Sequence, residues 1–242
     1  MDHESKDVLD LASNLCQDEQ EQEAEDIVKD ALLRDPTNLD LLTKLGVIQA
    51  RLCKDEEAEA TFRRVLDVDP NHEKALSSLG RLLDQSLRAE EAEVLYRNYL
   101  GRNPSSHCVM DDLCRLLLSE ERSEEALSLS RIHAAMFLSD INAYDALRFT
   151  LVTVEEMLSS DLDDNRESAE ATLLLLDNLV EQLTLIDHMR RTLDTTPSLE
   201  RELLDETSRI AGEIQHVFDS AKVRDIQIPE ETVTKVETLL KL

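Results

Sequence analysis

Three prolines, Pro36, Pro70 and Pro104, fall 34 residues apart. A fixed period of that length marks stacked supersecondary units, none of which can bury its apolar face alone. The register holds position by position when the units start at Ser5, Leu39, Glu73 and His107. Their eighth residue is small, as Ala12, Gly46, Gly80 and Cys114, and is preceded by Leu11, Leu45, Leu79 and Leu113. Twelve residues later stand Ala24, Ala58, Ala92 and Ala126, and four further on Val28, Phe62 and Tyr96, with Ser130 in the fourth unit. In that last unit Leu138 replaces the closing proline.

The pattern has a physical reading. A small residue lets the first helix of a unit approach the second, where the alanine makes the reciprocal close contact. The leucine and the aromatic fill the layer between helices. Each linker, Asp35-Pro36-Thr37-Asn38, Asp69-Pro70-Asn71-His72 and Asn103-Pro104-Ser105-Ser106, ends on residues able to cap the next helix. The second helices open with acids, as in Asp55-Glu56-Glu57, Glu90-Glu91 and Glu124-Glu125, which complement the positive end of the helix dipole.

These residues resemble the tetratricopeptide repeat, a 34-residue antiparallel helix pair with the order Leu-Gly, Ala, aromatic, Pro. The resemblance covers about Ser5 to Asp140. It implies an all-α fold: an α-solenoid of about four helix pairs over 1–140, with repeats near 5–38, 39–72, 73–106 and 107–140. After Asp140 the period fails, and residues 141–242 are expected to form a degenerate fifth unit and a C-terminal helical cap. Tyr144, Leu147, Leu151, Val154 and Leu158 share one helical stripe, and 159–165 reads as a loop. Beyond it, Leu176, Leu179, Leu183, Ile186 and Leu193, then Leu203, Ile210, Ile214 and Val217, follow three-four spacing. Thr196-Pro197 between them predicts an antiparallel hairpin. Leu173 to Leu175, Val180, Leu199 and Leu204 widen both stripes and need a further surface, either the last repeat or a second copy of the chain. A short helix from Pro229 carries Val233, Val236, Leu239 and Leu240.

Charge narrows the function. With 26 basic and 53 acidic residues the net charge is −27, which disfavours nucleic acid, whose binding rests on basic charge. Residues 1–140 carry 16 basic and 31 acidic groups, so the acidity is spread over the chain. No apolar run approaches bilayer length, and Met1 to Asp10 is too polar for a secretory signal, so the expected location is the cytoplasm. Four cysteines at 16, 53, 108 and 114 lack zinc-ligand spacing, and Cys114 reads as a buried small hydrophobe. With no phosphate-cradling glycine loop, nucleophile elbow or clustered metal motif, neither catalysis nor a cofactor is expected.

The resemblance implies a groove lined by the first helix of each repeat. In this register Lys6, Lys44, Arg51, Lys74, Arg81, Asp84 and Arg115 face it, with Asp40, Ser77, Gln85 and Asp111. A basic lining inside an acidic protein orients a carboxylate or acidic peptide. Family members that clasp the terminal carboxylate of heat-shock chaperones use a set of Lys, Asn and Arg positions. Here Leu9, Ser13, Lys44 and Ser78 occupy four of them and only Lys74 agrees. The expected function is therefore a protein- or peptide-binding adaptor with a different ligand. The alternatives are self-assembly as a homodimer through the C-terminal hairpin, and a secretion-type chaperone.

Overall fold

The computed structural model describes residues 3–137, 147–156, 169–192, 196–223 and 226–240. Among these residues every regular element is an α-helix. Contacts divide the chain into two compact units, Met1–Leu116 and Leu117–Leu242.

The repeats appear as helix pairs: α1 (His3–Gln17) with α2 (Glu21–Arg34), α3 (Leu39–Arg51) with α4 (Asp55–Val68), and α5 (Glu73–Gln85) with α6 (Ala89–Leu100). They are followed by α7 (His107–Ser119) and α8 (Ser123–Met136). α2 also packs on α3 and α4 on α5, and the first helices touch one another one repeat away, α1 against α3 and α3 against α5. The predicted caps form. Asn38 Oδ1 accepts from Leu41 N at 3.1 Å, His72 Nδ1 from Ala75 N at 3.3 Å and Ser106 Oγ from Val109 N at 3.3 Å. Each satisfies an amide that the first helical turn leaves without a partner.

The small position does what its register demands. A Cβ on Gly46 would lie 2.6 Å from Phe62 Cε1, and one on Gly80 would lie 2.5 Å from Tyr96 Cε1. Where the partner is Val28 an alanine fits, and Ala12 and Val28 are both fully buried. Leu45, Leu79 and Leu113 are buried, whereas Leu11, at the start of the stack, is 46% exposed.

The period returns in the backbone where the sequence shows no sign of it. Glu19, Cys53, Leu87 and Glu121, spaced by 34, all hold a left-handed φ between 56° and 60°. Each ends a first helix: the amide after it bonds back five residues, as Gln20 N to Leu15 O, Lys54 N to Gln49 O, Arg88 N to Leu83 O and Arg122 N to Leu117 O at 2.8–2.9 Å. Glycine is the usual residue at such a stop, and none of the four positions has it.

The residue after the second and third stops carries a second ladder. Lys54 Nζ reaches Glu25 Oε2 at 2.7 Å and Arg88 Nη1 reaches Glu59 Oε2 at 2.7 Å, so a cation of one repeat binds an acid of the repeat before. Glu25 is fully buried. Burial alone would raise its carboxyl, but hydrogen bonds from Lys29 and Lys54 outweigh that and hold it below the usual range.

In the second unit, residues 147–156 form α9, followed by α10 (Ala169–Thr192), α11 (Pro197–Val223) and α12 (Glu230–Leu240). The hairpin is present. Thr196 Oγ1 accepts from Leu199 N at 3.3 Å, Pro197 opens α11, and α10 packs on both α11 and α12. One apolar core joins Leu147 and Leu151 of α9, Leu176, Leu179, Leu183 and Ile186 of α10, Leu203, Ile210, Ile214 and Val217 of α11, and Val236 of α12. The surplus width is mostly absorbed inside this unit: Leu175 and Val180 are buried and Leu199 packs against the core, while Leu174 and Leu204 are exposed. A polar cluster crosses this core, unforeseen from sequence. Glu155 Oε2 accepts from Gln182 Nε2 at 2.7 Å and its Oε1 from Arg209 Nη1 at 2.8 Å. Leu138, Tyr144, Leu158, Leu193 and the expected loop 159–165 lie outside the described residues.

Candidate functional site

The first unit carries a groove of about 550 Å³ across α1, α3, α5 and α7. Its lining follows the repeat. Counted from each repeat start, every lining residue sits at the second, fifth, sixth or ninth position. Successive turns of a first helix present these four columns on one side, the side away from the small residue that faces the second helix. Asp40, Lys74 and Cys108 form one column, and Leu9, Thr43, Ser77 and Asp111 the next. Lys44, Ser78 and Asp112 form a third, and Ser13, Val47, Arg81 and Arg115 the last.

A second hollow of about 370 Å³ adjoins it, sharing Val47, Ser78 and Arg81. It runs toward the C-terminal ends of α3 and α5, where Arg51 and Gln85 occupy one column and Phe62 and Leu82 supply apolar wall. Of the residues singled out from sequence, Lys44, Lys74, Arg81 and Arg115 line the groove with Asp40, Ser77 and Asp111, and Arg51 lines the hollow. Lys6 is exposed on α1 and Asp84 is partly buried on α5, and neither lines either cavity.

The cations differ in what already holds them. Lys44 Nζ donates to Ser13 Oγ at 2.9 Å. Arg51 Nη1 donates to the Cys16 carbonyl at 2.9 Å and stands 3.6 Å from Glu21, so it ties its repeat to the one before. Arg115 pairs with Asp111 and lies 3.7 Å from Asp112 Oδ1. Among the described residues, Lys74 and Arg81 hold no hydrogen bond or ion pair, and both are exposed. A ligand anion at these two would not first have to displace a protein partner.

Sequence reasoning missed Asp112. It is one of the few buried acids, 7% exposed, and its Oδ2 accepts from Ser77 Oγ across the repeat boundary. Burial pushes its carboxyl above the usual range, against the opposing pull of the Ser77 hydrogen bond and of Arg81 and Arg115. The signal was present, because Asp112 shares a register column with Lys44. Among the described residues no group of three His, Cys, Asp or Glu side chains is placed to hold a metal, and no helix is long and apolar enough to cross a membrane.

Comparison with known proteins agrees with the repeat geometry. A sequence model of the tetratricopeptide repeat matches residues 15–83. A solved structure of MamA shares 14% identity over 74% of this chain and 95% of its own, with a TM-score of 0.50. A tetratricopeptide repeat protein from Parabacteroides merdae shares 16% over 98% of both chains at 0.48. A thermophilic tetratricopeptide repeat protein of Thermus thermophilus shares 13% over 72% of this chain and 98% of its own at 0.49. At 14% identity the likeness to MamA is one of fold alone. No curated protein matches the chain in sequence. The matched segment, the 34-residue backbone period and the glycine–aromatic contacts agree that residues 15–83 are built as tetratricopeptide repeats.

Proposed function

We propose that the chain is a non-enzymatic interaction scaffold of the cytoplasm that binds an acidic segment, internal or C-terminal, of a protein partner in the groove of its first unit. The observation that carries this is the pair Lys74 and Arg81, two exposed cations that hold no partner among the described residues, in a groove that also holds Lys44, on a chain of net charge −27. The surrounding acidity repels an anionic segment everywhere else, so charge sets where and in which orientation it docks. Tight binding would come from a few anchors, such as an apolar side chain in the Phe62–Leu82 hollow, rather than from charge.

Replacing Arg81 and Arg115 by Glu tests this with a dye-labelled acidic peptide followed by fluorescence anisotropy at several salt concentrations. The expected result is binding weakened about tenfold or more, with a flatter salt dependence. Unchanged affinity and salt dependence would remove the groove from the account. Self-assembly through the hairpin stands second, since Leu174 and Leu204 are the large apolar residues left exposed on α10 and α11. A strict monomer in sedimentation across concentrations would exclude it.

A further inference from the structure

The groove floor holds an ionisable group that binding an anion would not by itself require. The Asp112 side chain, 6% exposed, lies in the same column set as the cations meant to receive the ligand. We infer that Asp112, hydrogen-bonded to Ser77 on the groove floor, sets the charge selectivity of the groove by making capture of an anionic segment depend on uptake of one proton at its carboxyl. The inference rests on the acidic-partner reading above.

Several charged and titratable groups face Asp112. From α7 come Asp111, Arg115 and the Cys108 thiol, which shares Ser77. From α5 comes Arg81, with Lys74 along the groove wall, while Glu73 acts on Cys108 and Asp84 on Tyr96 beside it. From α6 comes Tyr96, and across the groove on α3 stand Asp40 and Lys44. Arg115, shared with Asp111, stands 3.7 Å from Asp112 Oδ1, and Arg81 supplies the further compensation that a ligand can draw off. A ligand carboxylate on Lys74 and Arg81 withdraws that compensation and adds a second negative charge to a site where Asp112 has little water to screen it. Burial already favours the neutral form, so the proton is the least costly counter-charge. Protonated, the carboxyl turns from a repelling group into a hydrogen-bond donor facing the ligand. By linkage, a proton taken up on binding makes affinity rise as pH falls, by at most about tenfold per pH unit for one site.

The test uses acetyl-tetraglutamate amide carrying a dye, with anisotropy measured from pH 8 to pH 5.5, where the glutamates stay ionised. The wild-type protein is expected to bind several-fold tighter at pH 5.5 than at pH 8. Asp112→Asn should bind at pH 8 at least as tightly as the wild type does at pH 5.5, with a flat profile. Any rise that survives in this variant belongs to other groups and is subtracted. Ser77→Ala removes the hydrogen bond that favours the charged form and should shift the rise to higher pH, and it carries the test if Asp112→Asn does not fold. Superimposable profiles for wild type and Asp112→Asn, or for wild type and Ser77→Ala, overturn the proton coupling while leaving an acid-binding groove. Failure of the peptide to bind any of the proteins at any pH overturns the acidic-partner reading and the coupling with it.

Discussion

Gly80→Ala isolates the contact on which the stack depends. The added methyl carbon would sit 2.5 Å from Tyr96 Cε1, against the 3.5–4.0 Å or so of an ordinary carbon contact, so the ring must retreat by about 1 Å. Tyr96 is 1% exposed and has no solvent to retreat into, and its hydroxyl donates to the Ser77 carbonyl at 3.4 Å. Overpacking of this kind costs about 1–3 kcal/mol. The upper end applies because the obstacle is an enclosed ring rather than the tip of a flexible side chain. Alanine returns about 1 kcal/mol of helix propensity, leaving a net loss of roughly 2 kcal/mol.

Urea denaturation followed by circular dichroism reads this as a lower midpoint at an unchanged slope. Two comparisons fix its cause. Gly212→Ala, in α11 where a Cβ meets nothing within 4 Å, should stabilise the second unit by about 0.8–1 kcal/mol. Tyr96→Val combined with Gly80→Ala imitates the buried Ala12–Val28 pairing of the first repeat, and should show a coupling of about 2 kcal/mol. If Gly80→Ala matches the parent in stability while Gly212→Ala gains its increment, glycine is not selected by the ring and the packing argument fails.

Leu87 has a left-handed φ of 60° and is 95% exposed, so Leu87→Gly relieves backbone strain without losing packing. It should raise stability by about 1 kcal/mol, and a thermal midpoint at or below the parent value would contradict this. Acid should act on the inter-repeat ladder. Hydrogen bonds from Arg88 and Arg63 hold the Glu59 carboxyl low, and Glu25 is held low by Lys29 and Lys54 despite burial. A depressed folded-state value gives stability that is complete above the ordinary glutamate value of 4.5 and is lost as pH falls below it. Asp112 has the opposite sign: its raised value makes the charged form a cost, relieved on acidification. Urea midpoints should therefore hold from pH 7 to 5 and drop below about 4.5, and the drop should shrink in Arg88→Ala.

The helical architecture was legible because it rests on residues whose size or cap chemistry is local. Gly46, Gly80, Ala58 and Ala92 mark close helix approach whatever lies around them, and Asn38 and Ser106 cap from within three residues. The left-handed stops were not legible. Glu19, Cys53, Leu87 and Glu121 share no side-chain chemistry, and what holds them is the pair of backbone bonds closing each first helix. The Glu155–Gln182–Arg209 cluster escaped notice for a related reason. Its members come from three helices at unrelated spacings, and only the folded unit brings them within 3 Å.

The groove lies between these cases. The register brought Lys44, Lys74, Arg81 and Arg115 to the groove, with Lys6 and Asp84 falling outside it, and it could not tell which charges a ligand would meet unengaged, because several of their partners come from the neighbouring repeat. Lys44 meets Ser13 at a separation of 31 residues, Arg51 meets the Cys16 carbonyl at 35, and Ser77 meets Asp112 at 35. These separations cluster around the period because stacked first helices lie side by side, so a residue's lateral neighbours sit one repeat away, offset by a residue or a turn. A linear reading scores Lys44, Lys74 and Arg115 as equal cations. Laid out as a lattice with rows of 34, the same sequence pairs Lys44 with Ser13 and places Ser77 beside Asp112, leaving Lys74 and Arg81 as groove cations without partners among the described residues. In a repeat protein the chemistry of the surface is therefore encoded between rows, and the residue most informative about the ligand, Asp112, is one whose own row gives no hint of it.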